Sequence, residues 1–248
     1  MRVAVVSGAS SGIGAELVRQ LRTRGYVTIG LSRRDSDADE HETCDVSDHP
    51  QVEAVAARVL ERHPAIELLV CNAGVRGRGG FLTASPERIE GTMRTNYLGS
   101  VWLVLAFLPG LGRGSHVVNV VSVAGSFAAG PYSASKHAQL AFSRSLAVEL
   151  APRGVSVHTV SPGFVETPGF PQHERFGPLG RRFVADPALV ADRLIAAVER
   201  GRPEIVVPRW YRPAGWVQAL LPATTARVQG AYERRKWPTA TWSARTSR

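Results

Sequence analysis

The 248-residue sequence contains few cysteines, few lysines and no long apolar run, and each shortage argues against a class of protein. Cys44 and Cys71 lie far apart, at a spacing that favours neither a metal site nor a disulfide framework and that fits a reducing cytoplasm. The seven histidines are scattered and predict no metal site. No apolar stretch is long enough to predict a membrane-spanning helix. The chain opens on RVAVVSG without a basic leader, so we expect a cytoplasmic protein.

Positive charge is concentrated at the C-terminal end. Residues 1–208 carry 22 basic and 20 acidic side chains, a net charge of +2, whereas residues 209–248 carry eight basic side chains and one acid, a net charge of +7. A nucleic-acid footprint would need positive charge on the body of the protein. We therefore predict no nucleic-acid partner.

Apolar runs alternate with helical patterns along residues 1–208. The predicted strands are 3–7, 26–31, 41–46, 66–71, 115–121, 155–160 and 204–208, and the predicted helices are 12–24, 48–62, about 85–108, 132–151 and one that begins at Asp186-Pro187 and ends before Gly201. Near-continuous apolar strands that alternate with helices predict a parallel sheet covered on both faces. We therefore predict a single α/β domain at 1–208, with a doubly wound, Rossmann-like sheet of seven parallel strands, and a basic, Trp-rich extension at 209–248.

The segment SGASSGIGAEL follows the first strand and opens the first helix. Gly8, Gly12 and Gly14 fall where a tight turn, a close approach of phosphate and close helix–sheet packing each exclude a Cβ. The helix N-terminus offers N–H groups and partial positive charge to a pyrophosphate. A plain glycine loop is the alternative, but the strand–turn–helix context favours a dinucleotide site. The predicted contacts are Gly8, Ser10, Ser11, Gly12, Ile13 and Gly14.

The end of the second strand, LSRRD, indicates which dinucleotide binds. An acid there would bind the ribose hydroxyls and repel a 2′-phosphate, but the sequence has Ser32 followed by Arg33 and Arg34. Two guanidinium groups suit a 2′-phosphate because they form forked, charge-assisted hydrogen bonds. The sequence therefore predicts NADP(H) as the cofactor. The alternative is a solvated arginine pair, partly neutralised by Asp35.

Lys136 is one of two lysines against 28 arginines, and it follows Tyr132 by four residues. This spacing places both side chains on one face of the predicted helix. A nearby ammonium would lower the pKa of the tyrosine from about 10 toward the range in which general acid–base catalysis is efficient. Lysine can also exchange a proton, which arginine effectively cannot. An exposed Tyr–Lys pair is the alternative, and the surrounding motifs argue against it.

Several motifs in order resemble the short-chain dehydrogenase/reductase family over residues 3 to about 208. They are the glycine-rich turn, CNAG (71–74), RTNYLG with Asn96, VVNVVSVAG with Ser122, PYSASKH with Tyr132 and Lys136, and SPGFVET (161–167). Most follow predicted strands, whose carboxyl ends are where open α/β sheets bind ligands.

The resemblance implies roles for the matching residues. Tyr132 matches the general acid of carbonyl reduction, and Lys136 matches the residue that lowers the tyrosine pKa and holds the nicotinamide ribose. Ser122 matches the hydroxyl that positions the substrate oxygen, and Asn96 matches the residue that holds a water leading from the lysine to solvent. The other implied cofactor contacts are Asp45 and Val46 at the adenine, Asn72, Ala73 and Gly74 behind the adenosine ribose, and Pro162, Gly163, Val165 and Thr167 at the nicotinamide carboxamide.

The function implied is that of an NADP(H)-dependent oxidoreductase, transferring a hydride between nicotinamide and a small-molecule carbonyl or secondary alcohol, in a homo-oligomer. Two rivals stay open: a non-catalytic NADP(H)-sensing or partner-binding protein on the same fold, and a scaffold at a membrane surface. The sequence does not identify the substrate.

Two spacings depart from the family pattern. Ser122 precedes Tyr132 by ten residues, which is shorter than usual and predicts a trimmed substrate-side loop. It also leaves Ser126 as an alternative to Ser122. The span from Arg34 to Asp45 is short as well, which predicts a loop where the family has a helix.

The remaining segments concern the substrate side. Residues 168–183 are rich in Gly and Pro and lie where the family has a mobile lid. Four phenylalanines either line an apolar pocket there or pack within an irregular loop: Phe164, Phe170, Phe176 and Phe183. Arg76 and Arg78 flank the predicted cleft and either favour an acidic substrate or lie in solvent. The extension contains four of the five tryptophans, which suits peripheral membrane contact or a subunit contact. We favour packing over the pocket.

Overall fold

A computed structural model describes residues 1–77, 79–126, 130–170, 172 and 181–236, without the side chains of residues 181, 214 and 232–236. The strands are β1 Arg2–Ser7, β2 Tyr26–Ser32, β3 Glu40–Thr43, β4 Leu68–Cys71, β5 His116–Val120, β6 Ser156–Pro162 and β7 Glu204–Val207. The helices are α1 Gly12–Thr23, α2 His49–Arg62, α3 Pro86–Met93, α4 Gly99–Phe107, α5 Gly130–Leu150, α6 Pro187–Glu199, α7 Arg212–Leu220 and α8 Pro222–Lys236.

The seven strands form one parallel sheet in the order β3-β2-β1-β4-β5-β6-β7, which confirms the predicted doubly wound architecture. Val5 of β1 pairs with Ile29 of β2 on one side and Leu69 of β4 on the other. The chain runs outward from β1 to β3 and then returns to β4 beside β1. The loops after β1 and β4 therefore diverge and open a crevice, which is where such sheets bind ligands.

Alternate side chains of the strands enter two separate cores. Val3 and Val5 point to the face covered by α2, α4 and α5, where they join Val55 and Phe107. Ala4 and Val6 point to the face covered by α1 and α6. Burial on both faces explains why the strands read as nearly continuous apolar runs instead of alternating ones.

The helix starts predicted at Ser85 and at Asp186-Pro187 are confirmed, whereas the helix predicted at 132–151 begins two residues earlier, and the long helix predicted at about 85–108 is interrupted. Ser85 accepts a hydrogen bond from the amide of Arg88, and Asp186 accepts one from the amide of Ala188. Between α3 and α4 the chain makes one π-helical turn, Arg94–Leu98. A π-turn inserts an extra residue and re-aims nearby side chains, and such turns are frequent at functional sites.

Two further predictions concern connections. The short span after β2 forms a loop at residues 33–39, as predicted, and no helix lies between β2 and β3 in this described segment. In the extension, Pro213 lies in the first turn of α7, and Pro222 begins α8 directly after it. No helix in the described part of the chain combines the length and hydropathy needed to cross a membrane.

Candidate active site

The predicted site residues gather at one edge of the sheet, where β1, β4, β5 and β6 end. The glycine-rich turn follows β1, Asn72 follows β4, and Ser122 follows β5. The N-terminal part of α5 brings Tyr132 and Lys136 to the same edge. Because parallel strands all end on one side, segments distant in sequence meet there.

The glycine-rich turn has no room for side chains at its three glycines. Gly8 and Gly12 have φ values of +67° and +57°, in the left-handed region that glycine adopts readily. A Cβ on Gly14 would lie 2.1 Å from the carbonyl oxygen of Gly8, and one on Gly12 would lie 2.8 Å from Cγ2 of Thr167. The loop after β6 therefore packs directly against the turn. The first turn of α1 holds no acid, and no side chain caps it, so its N–H groups suit an anion.

A small hydrogen-bond network fixes the turn to the strand beside it. The hydroxyl of Ser7 donates to the carbonyl of Val70 and accepts from the amides of Asn72 and Ala73, at 2.9 and 3.0 Å. The side-chain amide of Asn72 donates to the carbonyl of Ser7 at 3.0 Å. The segment predicted to lie behind the adenosine ribose thus also holds the end of β1 in place.

The two arginines after β2 are presented by a tight turn. The hydroxyl of Ser32 donates to the carbonyl of Arg34 at 2.6 Å, so this residue stabilises the turn. The side chain of Arg33 is 70% exposed and lies 3.7 Å from the carboxylate of Asp45. Burial raises the pKa of Asp45, but hydrogen bonds from Ser47 and the charge of Arg33 outweigh it and lower that pKa overall. Asp45 is therefore charged at neutral pH, and the side chains of Arg33 and Asp45 both reach solvent, where a ligand can contact them.

Ser122 and Tyr132 meet through their hydroxyl groups. The side chain of Ser122 lies at the phenol of Tyr132 and lowers the pKa of that phenol in part. Ser126, the alternative serine, instead lies against α7, where Gly215 packs beside its Cβ. The shorter spacing between serine and tyrosine therefore still brings Ser122 to the phenol.

The pKa of Tyr132 differs from the sequence-based expectation. Burial raises this pKa, and the hydrogen bond from Ser122 offsets the increase only in part. The expectation of a lowered pKa for Tyr132 is therefore wrong for this structure, where the net direction is upward. The physical reason is burial of the phenol, while the ammonium of Lys136 donates its hydrogen bonds to Val120 and Gln139.

Lys136 is fully enclosed. Its Nζ atom donates to the carbonyl of Val120 at 3.0 Å and to Oε1 of Gln139 at 2.8 Å. An ammonium has three N–H groups, so one stays without a partner among the described residues. Burial lowers the pKa of Lys136 to about 7. A lysine with this pKa can lose and regain a proton near neutral pH.

Gln139 is a functional candidate that the sequence interpretation missed. This fully buried residue holds the ammonium with its carbonyl oxygen, while its Nε2 donates to the hydroxyl of Ser100 at 2.8 Å. The bond to Ser100 fixes which end of the amide faces the lysine. The signal in the sequence was a polar residue three positions after Lys136, on the same face of the helix.

Asn96 lies in the π-turn and is completely buried. Its Oδ1 accepts from the amide of Val75 at 2.7 Å, and its Nδ2 donates to the carbonyl of Val75 and to the hydroxyl of Ser135, each at 2.9 Å. The side chain thereby ties the loop after β4 to α5. Its predicted contact with a water stays a prediction.

Aromatic residues form a rim beside the phenol. The ring of Phe170 lies 5.7 Å from that of Tyr132, and the ring of Phe164 meets Tyr211 edge-on at 6.2 Å. The hydroxyl of Tyr211 donates to the carbonyl of Phe183 at 2.9 Å. Phe170 thus supports the pocket interpretation, whereas Phe164 packs against the extension.

Several predicted residues lie outside the described part of the chain or on other parts of the same surface. Phe176, Arg78 and most of the predicted lid fall outside the described residues. Arg76 is exposed and lines a depression of about 460 Å³ together with Arg88, on α3. The remaining predicted cofactor contacts lie at the same sheet edge, with Ile13 in the first turn of α1, Pro162 at the end of β6, and Ser10, Ser11, Val46, Gly74, Gly163 and Val165 on the loops.

Comparison with known proteins gives consistent matches. The family model for short chain dehydrogenase matches residues 2–175. A Streptomyces coelicolor protein whose name assigns it as a ketoacyl reductase is 37% identical over 187 residues, which cover 67% of this chain and 71% of that protein. A short chain dehydrogenase from Burkholderia cenocepacia, solved in complex with NADP, superposes with a TM-score of 0.78 at 29% identity, covering 92% of this chain and 99% of the other. An actinorhodin polyketide ketoreductase variant, solved with NADPH, gives a TM-score of 0.75 at 29% identity, covering 83% and 95%.

Proposed function

The chain belongs to the short-chain dehydrogenase/reductase family and is an oxidoreductase, and from that premise we propose that it interconverts a ketone and a secondary alcohol with NADP(H). The observation that carries this proposal is the placement of the Ser122 side chain at the phenol of Tyr132, with the buried ammonium of Lys136 one helical turn away. A non-catalytic NADP(H) sensor would not need Ser122, Tyr132 and Lys136 in this arrangement.

The residues at the sheet edge fit a nicotinamide dinucleotide. Gly12 and Gly14 leave space that a Cβ would fill, and the uncapped start of α1 suits a pyrophosphate. Arg33 and Arg34 are exposed beside the crevice, where they would bind a 2′-phosphate. The NADP and NADPH in the two structural neighbours support the same cofactor here. When bound, the nicotinamide supplies or accepts the hydride.

The protein's own groups handle the proton and the substrate oxygen. Ser122 donates a hydrogen bond to the substrate oxygen and orients it toward Tyr132. Tyr132 gives its phenolic proton to that oxygen during reduction and takes it back during oxidation. Protonated Lys136 stabilises the phenolate that results, because a positive charge favours the charged form of the phenol. With a pKa near 7, Lys136 then restores the proton.

The substrate class follows from the comparisons and from the rim. The Streptomyces relative is assigned to ketoacyl substrates, and the structural neighbour is a polyketide ketoreductase. Both names favour a ketone on an acyl chain. Phe170, beside the phenol, offers an apolar wall to such a chain.

Tyr132→Phe tests the proposal because it removes only the hydroxyl group. Turnover on a panel of ketones, followed at the NADPH absorbance band, should fall by about a hundredfold to ten-thousandfold. NADPH affinity, measured by fluorescence titration, should stay close to wild type. The matched control is Tyr26→Phe, at the opposite end of the sheet, which should leave turnover unchanged.

Two results would contradict the proposal. Turnover near the wild-type rate in Tyr132→Phe would remove the tyrosine from the chemistry. A wild-type protein that binds NADPH but reduces no ketone and oxidises no alcohol would favour the sensor.

A further inference from the structure

Helix α7 turns its large apolar side chains outward. Trp216 is 60% exposed and Leu220 is 78% exposed, and Val217 lies exposed between them. Trp210, just before the helix, is exposed as well. A helix on a globular protein ordinarily buries its large apolar face and exposes its small or polar one.

The orientation follows from how α7 packs. At 100° per residue, Pro213, Trp216, Val217 and Leu220 fall within about a 100° arc, and Gly215 lies nearly opposite. A Cβ on Gly215 would lie 3.2 Å from Cβ of Ser126, so the glycine face is the one in contact with the body. The close contact on the small face holds the apolar stripe toward solvent.

Basic side chains flank this stripe. The guanidinium group of Arg212 lies 6.0 Å from the ring centre of Trp216, and Arg209 precedes it in the turn before α7. Residues 209–232 contain three arginines and no acid, a net charge of +3. A second copy of the chain would bring an equal positive charge to the same face, which opposes self-association. An anionic surface is attracted instead.

We propose that α7 docks the protein on an anionic lipid surface, with Trp216, Val217 and Leu220 entering the interface and Arg209 and Arg212 at the lipid phosphates. Tryptophan and arginine each combine an apolar body with a polar end, which suits this boundary. The helix lies beside the turn Val123–Ser126, directly after Ser122. Docking therefore brings the candidate active site close to the bilayer, where apolar substrates concentrate. This proposal does not rest on the proposed function.

The test is co-sedimentation of the full-length protein with vesicles. Vesicles of phosphatidylcholine mixed with phosphatidylglycerol should carry the protein down, whereas vesicles of phosphatidylcholine alone should bind it much less, and added salt should reduce binding. The double variant Trp216→Ser/Leu220→Ser should weaken binding by at least about tenfold. Arg212→Gln should weaken it by about fivefold.

Two controls keep the test specific. Val148→Ser removes an apolar side chain that is 75% exposed on α5, so it should leave vesicle binding unchanged. Turnover on a water-soluble carbonyl compound and the melting temperature should stay close to wild type in every variant, because the altered side chains are exposed.

Three outcomes overturn the proposal. The first is equal sedimentation with anionic and zwitterionic vesicles. The second is unchanged vesicle binding in both the double variant and Arg212→Gln. The third is a wild-type protein that binds no vesicle but loses its oligomeric mass in the double variant, measured by analytical ultracentrifugation, which would assign the stripe to a second copy.

Discussion

Replacing Gln139 should move the pH dependence of turnover, because this residue supplies a hydrogen-bond acceptor to the buried ammonium of Lys136. Gln139→Met keeps a side chain of similar length but removes the carbonyl oxygen. A hydrogen bond to a charged group contributes about 1.5–3 kcal/mol. Its loss from the charged form alone lowers the lysine pKa by about one to two units, since one unit corresponds to about 1.36 kcal/mol.

The direction of the change follows from the sign of that shift. Burial already lowers the pKa of Lys136 to about 7, so a further decrease leaves the lysine mostly neutral at neutral pH. A neutral lysine no longer stabilises the phenolate of Tyr132. The alkaline limb of the pH–rate profile should therefore move to lower pH in Gln139→Met.

Gln139→Glu provides the opposite perturbation at the same position. A carboxylate beside the ammonium favours the charged lysine and raises its pKa. The alkaline limb should then move to higher pH. Turnover at saturating NADPH, measured from about pH 6 to pH 10, gives the alkaline limb of the pH–rate profile for each variant. If the role of Gln139 were purely structural, its variants would have a lower melting temperature but an unchanged alkaline limb. Unshifted limbs in both variants, or shifts in the same direction, would refute the reasoning.

The remaining predictions concern the cofactor, the turn and the far end of the sheet. Arg33→Ala should weaken NADPH binding by at least about tenfold and leave NADH binding nearly unchanged, and equal weakening in titrations would exclude a phosphate contact. Gly14→Ala should abolish NADPH binding, because the new Cβ would lie 2.1 Å from a backbone oxygen. The control Gly91→Ala should bind NADPH normally, because a Cβ at that position contacts no other atom within 4 Å. Burial lowers the pKa values of His116 and His158 below their usual 6.5, so the folded state binds fewer protons than the unfolded state. Thermal stability should therefore fall as the pH drops below about 6.5, and a melting temperature that stays flat down to pH 5 would contradict this.

The sheet and its order of elements could be predicted because the signals are local. Each strand is a short apolar run, and helix starts such as Ser85 and Asp186 carry their own capping side chains. Because these runs are apolar at nearly every position, the sequence also predicts that both faces of the sheet are buried. The π-turn at Arg94–Leu98 could not be predicted in this way, because it depends on where the buried side chain of Asn96 meets the loop after β4.

The identities of the candidate catalytic residues could be predicted from the sequence, but the pKa that the folded structure gives Tyr132 could not. The motifs indicated Tyr132 and Lys136, and the structure places both at the expected edge of the sheet. The pKa of Tyr132 depends instead on burial, which raises it, and on Ser122, which lowers it in part. Burial is set by how the loops pack over the phenol in the folded chain, so the residue types alone do not report it. Cytoplasmic location, a homo-oligomer and the division at residue 208 remain predictions.

Tyr211 connects the extension to the loop predicted to hold the nicotinamide. A Cβ on Gly163 would lie 2.2 Å from the ring of Tyr211, so the two segments fill one space. A movement of either segment must therefore be accommodated by the other. If this loop holds the nicotinamide as proposed, a ligand of the extension that shifts this ring would change the free energy of cofactor binding, and cofactor binding would change the affinity of the extension for that ligand by the same factor. This reciprocity makes the occupancy of one site a measure of the other.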